Sequence, residues 1–80
     1  MRRYASHYLY VPGCGYLKNQ VVELEQGRIV RYLSFEDEEV GTEWLPGVLR
    51  VEDDGRVFHY YPFDFNVMMP VAETRRRQLL

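Results

Sequence analysis

The chain has 80 residues, of which 46% are hydrophobic and 15% aromatic, and its net charge is −2. This length predicts one small domain over residues 1–80, and the charge disfavours a partner attracted by a strongly basic surface, such as nucleic acid or an anionic membrane. A single cysteine, Cys14, excludes an internal disulfide, and no apolar run is long enough to span a bilayer. We therefore expect a cytoplasmic protein with no membrane partner.

Alternating β-prone residues predict a mainly β chain of five to six strands. In chain order, the predicted strands are residues 3–11, 20–25, 28–35, 48–52, 56–61 and, as an edge strand, 63–69. Residues 70–80 predict a short C-terminal helix, because Pro70 and Glu73 suit its first turn and the arginines near its end suit its negative pole. The predicted fold is therefore a small antiparallel β-sandwich or open barrel with this helix added.

Two predicted hairpins have nearly the same sequence. Residues 25–32 and 53–60 both run through an acid, a polar residue, Gly, Arg, two apolar residues, a basic residue or His, and Tyr. A turn glycine between β-prone runs is a strong hairpin signal. We expect Gly27 to lie in a three-residue loop with a bulge, and a two-residue turn in the second copy to place Val51 opposite Phe58.

Residues 17–30 (LKNQVVELEQGRIV) resemble the opening of an amidohydrolase-superfamily enzyme, in which a small β-sandwich domain lies beside a catalytic barrel. Residues 43–49 (EWLPGVL) resemble the next step of that family, where a strand ends in Pro-Gly and leads to the metal site. The family then places a His-x-His pair, whereas residues 48–61 contain only His59. The resemblance therefore implies the accessory β-sandwich standing alone, without the barrel and with no metal ligand carried over.

Three residues are candidates for metal binding or catalysis: His7, Cys14 and His59. Their spacing matches no zinc motif, and Cys14 between two glycines is typical of a tight turn rather than of a reactive thiol. The acidic residues 36–39 lack the ligand spacing of a calcium loop and predict a solvated loop. We predict no enzyme and no cofactor, with a small metal-dependent accessory enzyme built on the three candidates as the alternative.

The predicted function is a non-catalytic binding or assembly module, which forms a homodimer or docks on a larger enzyme. Its possible interaction surface comprises Tyr8, Tyr10, Tyr60, Tyr61, Arg75, Arg76 and Arg77. A second alternative is a weak single-stranded nucleic-acid binder, since Tyr-rich strands can stack bases. We expect this to be disfavoured because Glu23, Glu25 and Glu52 lie among the arginines of the same strands.

Overall fold

A computed structural model describes residues 1–34 and 41–80, which contain nine strands and no helix. The strands are β1 (Arg2–Ala5), β2 (Tyr8–Val11), β3 (Gly15–Lys18), β4 (Gln20–Glu25), β5 (Arg28–Ser34), β6 (Thr42–Trp44), β7 (Val48–Val51), β8 (Val57–Asp64) and β9 (Met69–Gln78). The mainly β prediction is confirmed, although the strands are shorter and more numerous than expected. The predicted acidic loop at residues 36–39 lies outside the described ranges, and the described residues hold no helix that is long and apolar enough to cross a membrane.

The strands form a four-stranded sheet in the order β5-β4-β1-β6 and a five-stranded sheet in the order β3-β2-β7-β8-β9. The predicted strand over residues 3–11 is in fact two strands, because the chain leaves the first sheet after Ala5 and enters the second at Tyr8. The β6–β7 segment makes the same crossing beside it. Two segments that cross side by side in the same direction must pair in parallel, and β1 pairs with β6 and β2 with β7 in that sense. The purely antiparallel prediction is wrong at these two pairs.

A single hydrophobic cluster joins the two sheets. Its buried members are Tyr4, Leu9, Val22, Leu24, Leu45, Leu49, Val51, Val57 and Leu79. Full burial of one such aliphatic side chain contributes about 1.5–3 kcal/mol to folding. The alternation predicted for β4 places Val22 and Leu24 in this cluster. Strands β2 and β7 of the five-stranded sheet contribute Leu9 and Leu49.

The predicted helix over residues 70–80 is wrong, because this segment is the edge strand β9. An isolated helix of this length is marginal in water, whereas a strand here satisfies the open backbone edge of β8. The two strands pair antiparallel from Phe58–Gln78 to Tyr61–Arg75 and again at Asp64–Met69. The predicted edge strand over 63–69 is also wrong in its middle, since β8 ends at Asp64 and a turn follows.

The two similar hairpins have different turns. In the first, Glu25 pairs with Arg28, so the loop has two residues, Gln26 and Gly27, with φ of 54° and 76°. Two positive φ angles define a type I′ turn, and the predicted three-residue loop is therefore wrong. The bulge lies farther along the hairpin, where the register shifts between Glu23 and Leu24.

The second hairpin is longer at its tip than the two-residue turn expected. Val51 pairs with Val57 rather than with Phe58, and Leu49 lies opposite His59. The tip also contacts the first hairpin, because the Ile29 amide donates to the Gly55 carbonyl at 2.8 Å. The shared sequence therefore predicts where each hairpin turns but not its register.

Candidate functional site

The outer side of the five-stranded sheet carries two rows of side chains that run across all five strands. One row, in strand order, is Tyr16, Tyr10, Arg50, Phe58 and Gln78. The other row is Lys18, Tyr8, Val48, Tyr60 and Arg76. Residues two apart in a strand share a face, so the ten side chains form one surface, which we name the aromatic face. It holds five aromatic rings, three cations and no carboxylate.

The cations of the aromatic face lie over its rings. The Lys18 ammonium is 5.7 Å from the centre of the Tyr8 ring, and the Arg50 guanidinium carbon is 4.7 Å from that of Tyr10. Arg76 stacks closest, at 3.9 Å from the centre of Phe58. Each contact of this kind contributes about 0.5–1 kcal/mol at an exposed site. The three cations therefore lie beside aromatic rings while their side chains stay exposed to solvent.

Further rings extend the aromatic face at the end where β8 turns back. Phe63 lies 6.4 Å from Tyr16 between ring centres, and Phe65 lies 5.5 Å from Tyr8. A groove of about 290 Å³ runs between the β2–β3 and β8–β9 hairpins. It is lined by Tyr10, Tyr16, Val48, Arg50, Tyr60, Phe63 and Pro70. The groove is thus walled by aromatic rings, with one cation among its lining residues.

Acidic groups adjoin the aromatic face at the tip of the β7–β8 hairpin. The Glu52 carboxylate accepts from Arg50 Nε at 3.1 Å and lies 3.4 Å from Arg76 Nη2. Asp54 accepts from the Arg56 backbone amide and side chain, and these hydrogen bonds hold the pKa of its carboxyl below the usual range. A single carboxylate, Glu52, is therefore shared by two cations of the face.

The predicted interaction surface is divided between the two sides of the sheet. Tyr8, Tyr10, Tyr60 and Arg76 lie on the aromatic face. The other three predicted residues alternate to the opposite side, where Tyr61 pairs with Arg75 and Arg77 pairs with His59. On that side the rings of His59 and Tyr61 stack at 6.4 Å with an angle of 10° between their planes.

Four residues of this surface are absent from the predicted interaction surface: Tyr16, Lys18, Arg50 and Phe58. The alternation of Tyr16 and Lys18 was a signal for the first two, since it places both on one side of β3. Arg50 and Phe58 become neighbours only through the register of β7 and β8, which was predicted one residue out.

Two of the three candidate metal ligands, His7 and His59, lie at the Pro46-Gly47 corner, but Cys14 does not join them. His7 Nδ1 accepts from the Gly47 amide at 3.2 Å, and His59 Nε2 donates to the Pro46 carbonyl at 2.5 Å, so the two rings bracket one peptide bond. Cys14 is exposed in the turn after β2, where its amide donates to the Val11 carbonyl. Within residues 1–34 and 41–80, no three His, Cys, Asp or Glu side chains lie close enough to hold a metal ion.

Two of the three acidic residues that were expected among the arginines of the binding surface belong to the four-stranded sheet. Glu23 and Glu25 belong to β4, and Glu23 is only 3% exposed between Arg3 and Arg31. The expected reason for disfavouring a nucleic-acid surface therefore applies to the aromatic face only through Glu52, which contacts Arg50 and Arg76.

Stacked rings and cations on one sheet can hold a planar, anionic ligand. No acid–base pair or phosphate loop is seen among the residues of this face. Comparison of the chain with protein-family models, with curated proteins and with solved structures gave no match.

Proposed function

We propose that this chain is a non-catalytic binding module whose ligand is a single-stranded nucleic acid. The observation that carries the proposal is the pair of rows across the aromatic face, with rings and cations interleaved on five strands. Bases of a single strand stack on aromatic side chains and on guanidinium planes, and the phosphates pair with Lys and Arg. The face supplies both kinds of contact at the spacing of neighbouring strands.

The net charge of −2 does not oppose this ligand, because the charge is unevenly distributed. Lys18, Arg50 and Arg76 make the aromatic face positive, and Glu52 is the one carboxylate that contacts its cations in the described part of the chain. Attraction over a short distance depends on the local field rather than on the total charge, since salt screens charges beyond roughly 10 Å. An anionic strand therefore meets a basic surface here.

The fold is proposed to be a β-sandwich similar to the accessory domain of amidohydrolases, in a cytoplasmic protein. Two features support the similarity: Gln26-Gly27 forms a hairpin turn between β4 and β5, and Pro46-Gly47 forms a corner between the two sheets. In this proposal the chain keeps the β architecture of that domain and uses a sheet face for binding.

The predicted homodimer and the predicted docking on a larger enzyme stay predictions. β9 is an edge of the five-stranded sheet, but its Arg75, Arg76 and Arg77 would meet like charges if two copies paired antiparallel along it. Like charges directly opposite in a sheet are destabilising. Sedimentation over a wide concentration range tests the predicted homodimer: a monomer throughout contradicts it, whereas a dimer that persists at low salt supports it and shows that these arginines do not prevent association.

The nucleic-acid proposal is tested by fluorescence anisotropy with labelled single strands of about ten nucleotides, and with a matched duplex. We expect single strands to bind more tightly than the duplex. The logarithm of the affinity should fall by about 0.7 per tenfold increase in salt for each phosphate neutralised, so by about 2 for three cations. Tyr10→Ala should weaken binding by about 1–3 kcal/mol, whereas Tyr10→Phe, which keeps the ring, should not.

A matched pair of arginines provides the control. Arg76→Gln should lower both the affinity and the salt dependence, because Arg76 lies on the aromatic face. Arg75→Gln removes the same charge one residue away, on the other side of the strand, and should change little. Equal effects of the two substitutions would contradict the proposal. So would tight binding of a proline-rich peptide, the other ligand that aromatic grooves accept, without any binding of single strands.

A further inference from the structure

We infer that the groove in the aromatic face is a subsite for a single guanine base of the bound strand. The inference rests on the proposed function and deepens it, because it assigns a base preference to one position. The groove of about 290 Å³ lies at the small end of ligand pockets, which suits one ring system rather than a large ligand.

The walls of the groove supply stacking surfaces on both sides. Tyr10 and Tyr16 contact each other with ring centres 5.0 Å apart on the β2–β3 side, and Tyr60 and Phe63 line the β8 side. The two sides meet where Phe63 lies 6.4 Å from Tyr16 between ring centres, so a base that enters the groove exchanges water for contacts with aromatic rings. A purine covers more of this surface than a pyrimidine does.

Arg50 is the one charged side chain among the described residues that line the groove. Its Nε donates to Glu52 at 3.1 Å and its guanidinium carbon lies 4.7 Å from the centre of the Tyr10 ring, so two contacts hold the fork beside the groove. The two terminal nitrogens have no hydrogen-bond partner among the described residues. The two terminal NH₂ groups are therefore a pair of adjacent donors on a guanidinium that contacts Glu52 and Tyr10.

Two parallel donors select guanine by its acceptor pattern. Guanine presents N7 and O6, two adjacent acceptors, to a guanidinium fork. Adenine presents one acceptor and one donor on each of its exposed edges, so one donor of the fork faces a donor. Cytosine presents two adjacent acceptors, N3 and O2, on the Watson–Crick edge that a single strand exposes, but its single ring covers less of the groove. Thymine and uracil offer one acceptor and a smaller ring. The fork of Arg50 therefore favours guanine over adenine, thymine and uracil, and the size of the groove favours guanine over cytosine.

The test uses the full chain and single strands of oligothymidylate with one central G, A, C or T, together with the corresponding RNA strands. We expect the central G to raise the affinity over T by about 5- to 100-fold, which is the discrimination of one bidentate contact. Arg50→Lys keeps the positive charge but removes the fork, and should bring the ratio of G to T affinities close to one.

Arg56→Lys is the matched control, since Arg56 lies on the same hairpin, over Phe58, and does not line the groove. It should leave the G-to-T ratio unchanged. Single strands that bind with no preference for G, or an Arg50→Lys chain that keeps the preference, would overturn the subsite and leave the binding function standing. Failure of every single strand to bind would overturn both. The ratio measured on the unsubstituted chain decides the matter even if a variant does not fold.

Discussion

Glu23 is a charged residue in a buried position. Its carboxylate is 3% exposed and forms ion pairs with Arg3 at 2.7 Å and with Arg31, which lie on the two strands flanking β4. A buried carboxylate is tolerated only when partners match its charge and its lone pairs. The hydrogen bonds from Arg31 and then Arg3 hold the pKa of Glu23 below the usual range.

The pKa of Glu23 predicts a loss of stability in acid. Because the pKa is lower in the folded chain than in the unfolded chain, the stabilisation is fully present above the unfolded value of about 4.3 and is lost as the pH falls through the folded value. Urea unfolding at a series of pH values should show this loss. Glu23→Gln should be less stable than the unsubstituted chain at pH near 7 and should lose less on acidification.

Glu25 provides the control for this prediction, because it lies at the end of the same strand and is exposed. Glu25→Gln should unfold with nearly the pH dependence of the unsubstituted chain. If Glu23→Gln also kept that dependence, the ion pairs would not be the origin of the acid sensitivity.

At the scale of the elements, local sequence predicts where strands and turns lie better than it predicts how they pair. The pattern around Pro70 and Arg75 to Arg77 is typical of helix ends, yet the segment is β9 because β8 offers it a free backbone edge. That edge belongs to the preceding strand, where Phe63 lies opposite Pro70 across a short turn, and it lies outside the segment that carries the helix pattern. A local pattern cannot reveal it, and the tertiary partner determines the outcome.

The first hairpin offers a stabilising substitution. Gln26 has a φ of 54°, which is unfavourable for most side chains, and Gly27 follows with 76°. Asn tolerates this conformation better, and Asn-Gly is the favoured pair for a type I′ turn. We expect Gln26→Asn to stabilise the chain by about 0.5 kcal/mol, measured as a higher midpoint of urea unfolding.

An Asn substitution at another turn tests whether a gain at position 26 comes from the positive φ angle there or from Asn itself. Asp53→Asn changes the tip of the second hairpin, where positive φ is adopted by Gly55. It should not raise the unfolding midpoint. An equal gain from both substitutions would show that the φ angle of Gln26 is not the reason.

At the scale of the whole molecule, the corner where the chain crosses between sheets was not predictable from the sequence. Its contacts join Ser6 and His7 to Gly47, including a buried hydrogen bond of 2.7 Å from Ser6 Oγ to the Gly47 carbonyl. The mainly β class and the presence of a turn at Pro46-Gly47 follow from local residue types. The aromatic face was predicted only in part for the same reason, since its two rows form across strands distant in sequence.

Gly47 is the position where this corner should be most sensitive. Its φ is 106°, and an added Cβ would lie 2.2 Å from the Tyr60 carbonyl oxygen. The backbone of one of the crossing segments would have to move, so Gly47→Ala should destabilise the chain by about 2–4 kcal/mol. Chemical unfolding measures the loss.

Gly13 is the matched control, because its φ is 84° and an added Cβ would meet nothing within 4 Å. Gly13→Ala has the conformational strain without the collision and should cost about 1 kcal/mol. A loss at Gly47 no larger than at Gly13 would mean that the corner adapts to the added methyl group.

The paired crossings also determine the order in which the chain can fold. Within the first 34 residues, β4 can associate with β1 and β5, and β2 can pair with β3. The pairing of β2 with β7 needs a later part of the chain, because Tyr8 lies opposite Val48, forty residues further on. Such distant pairings fold in about milliseconds to seconds, slower than local ones. During synthesis on the ribosome, the β2–β3 hairpin therefore has the β7-facing edge of β2 unpaired until β7 has emerged.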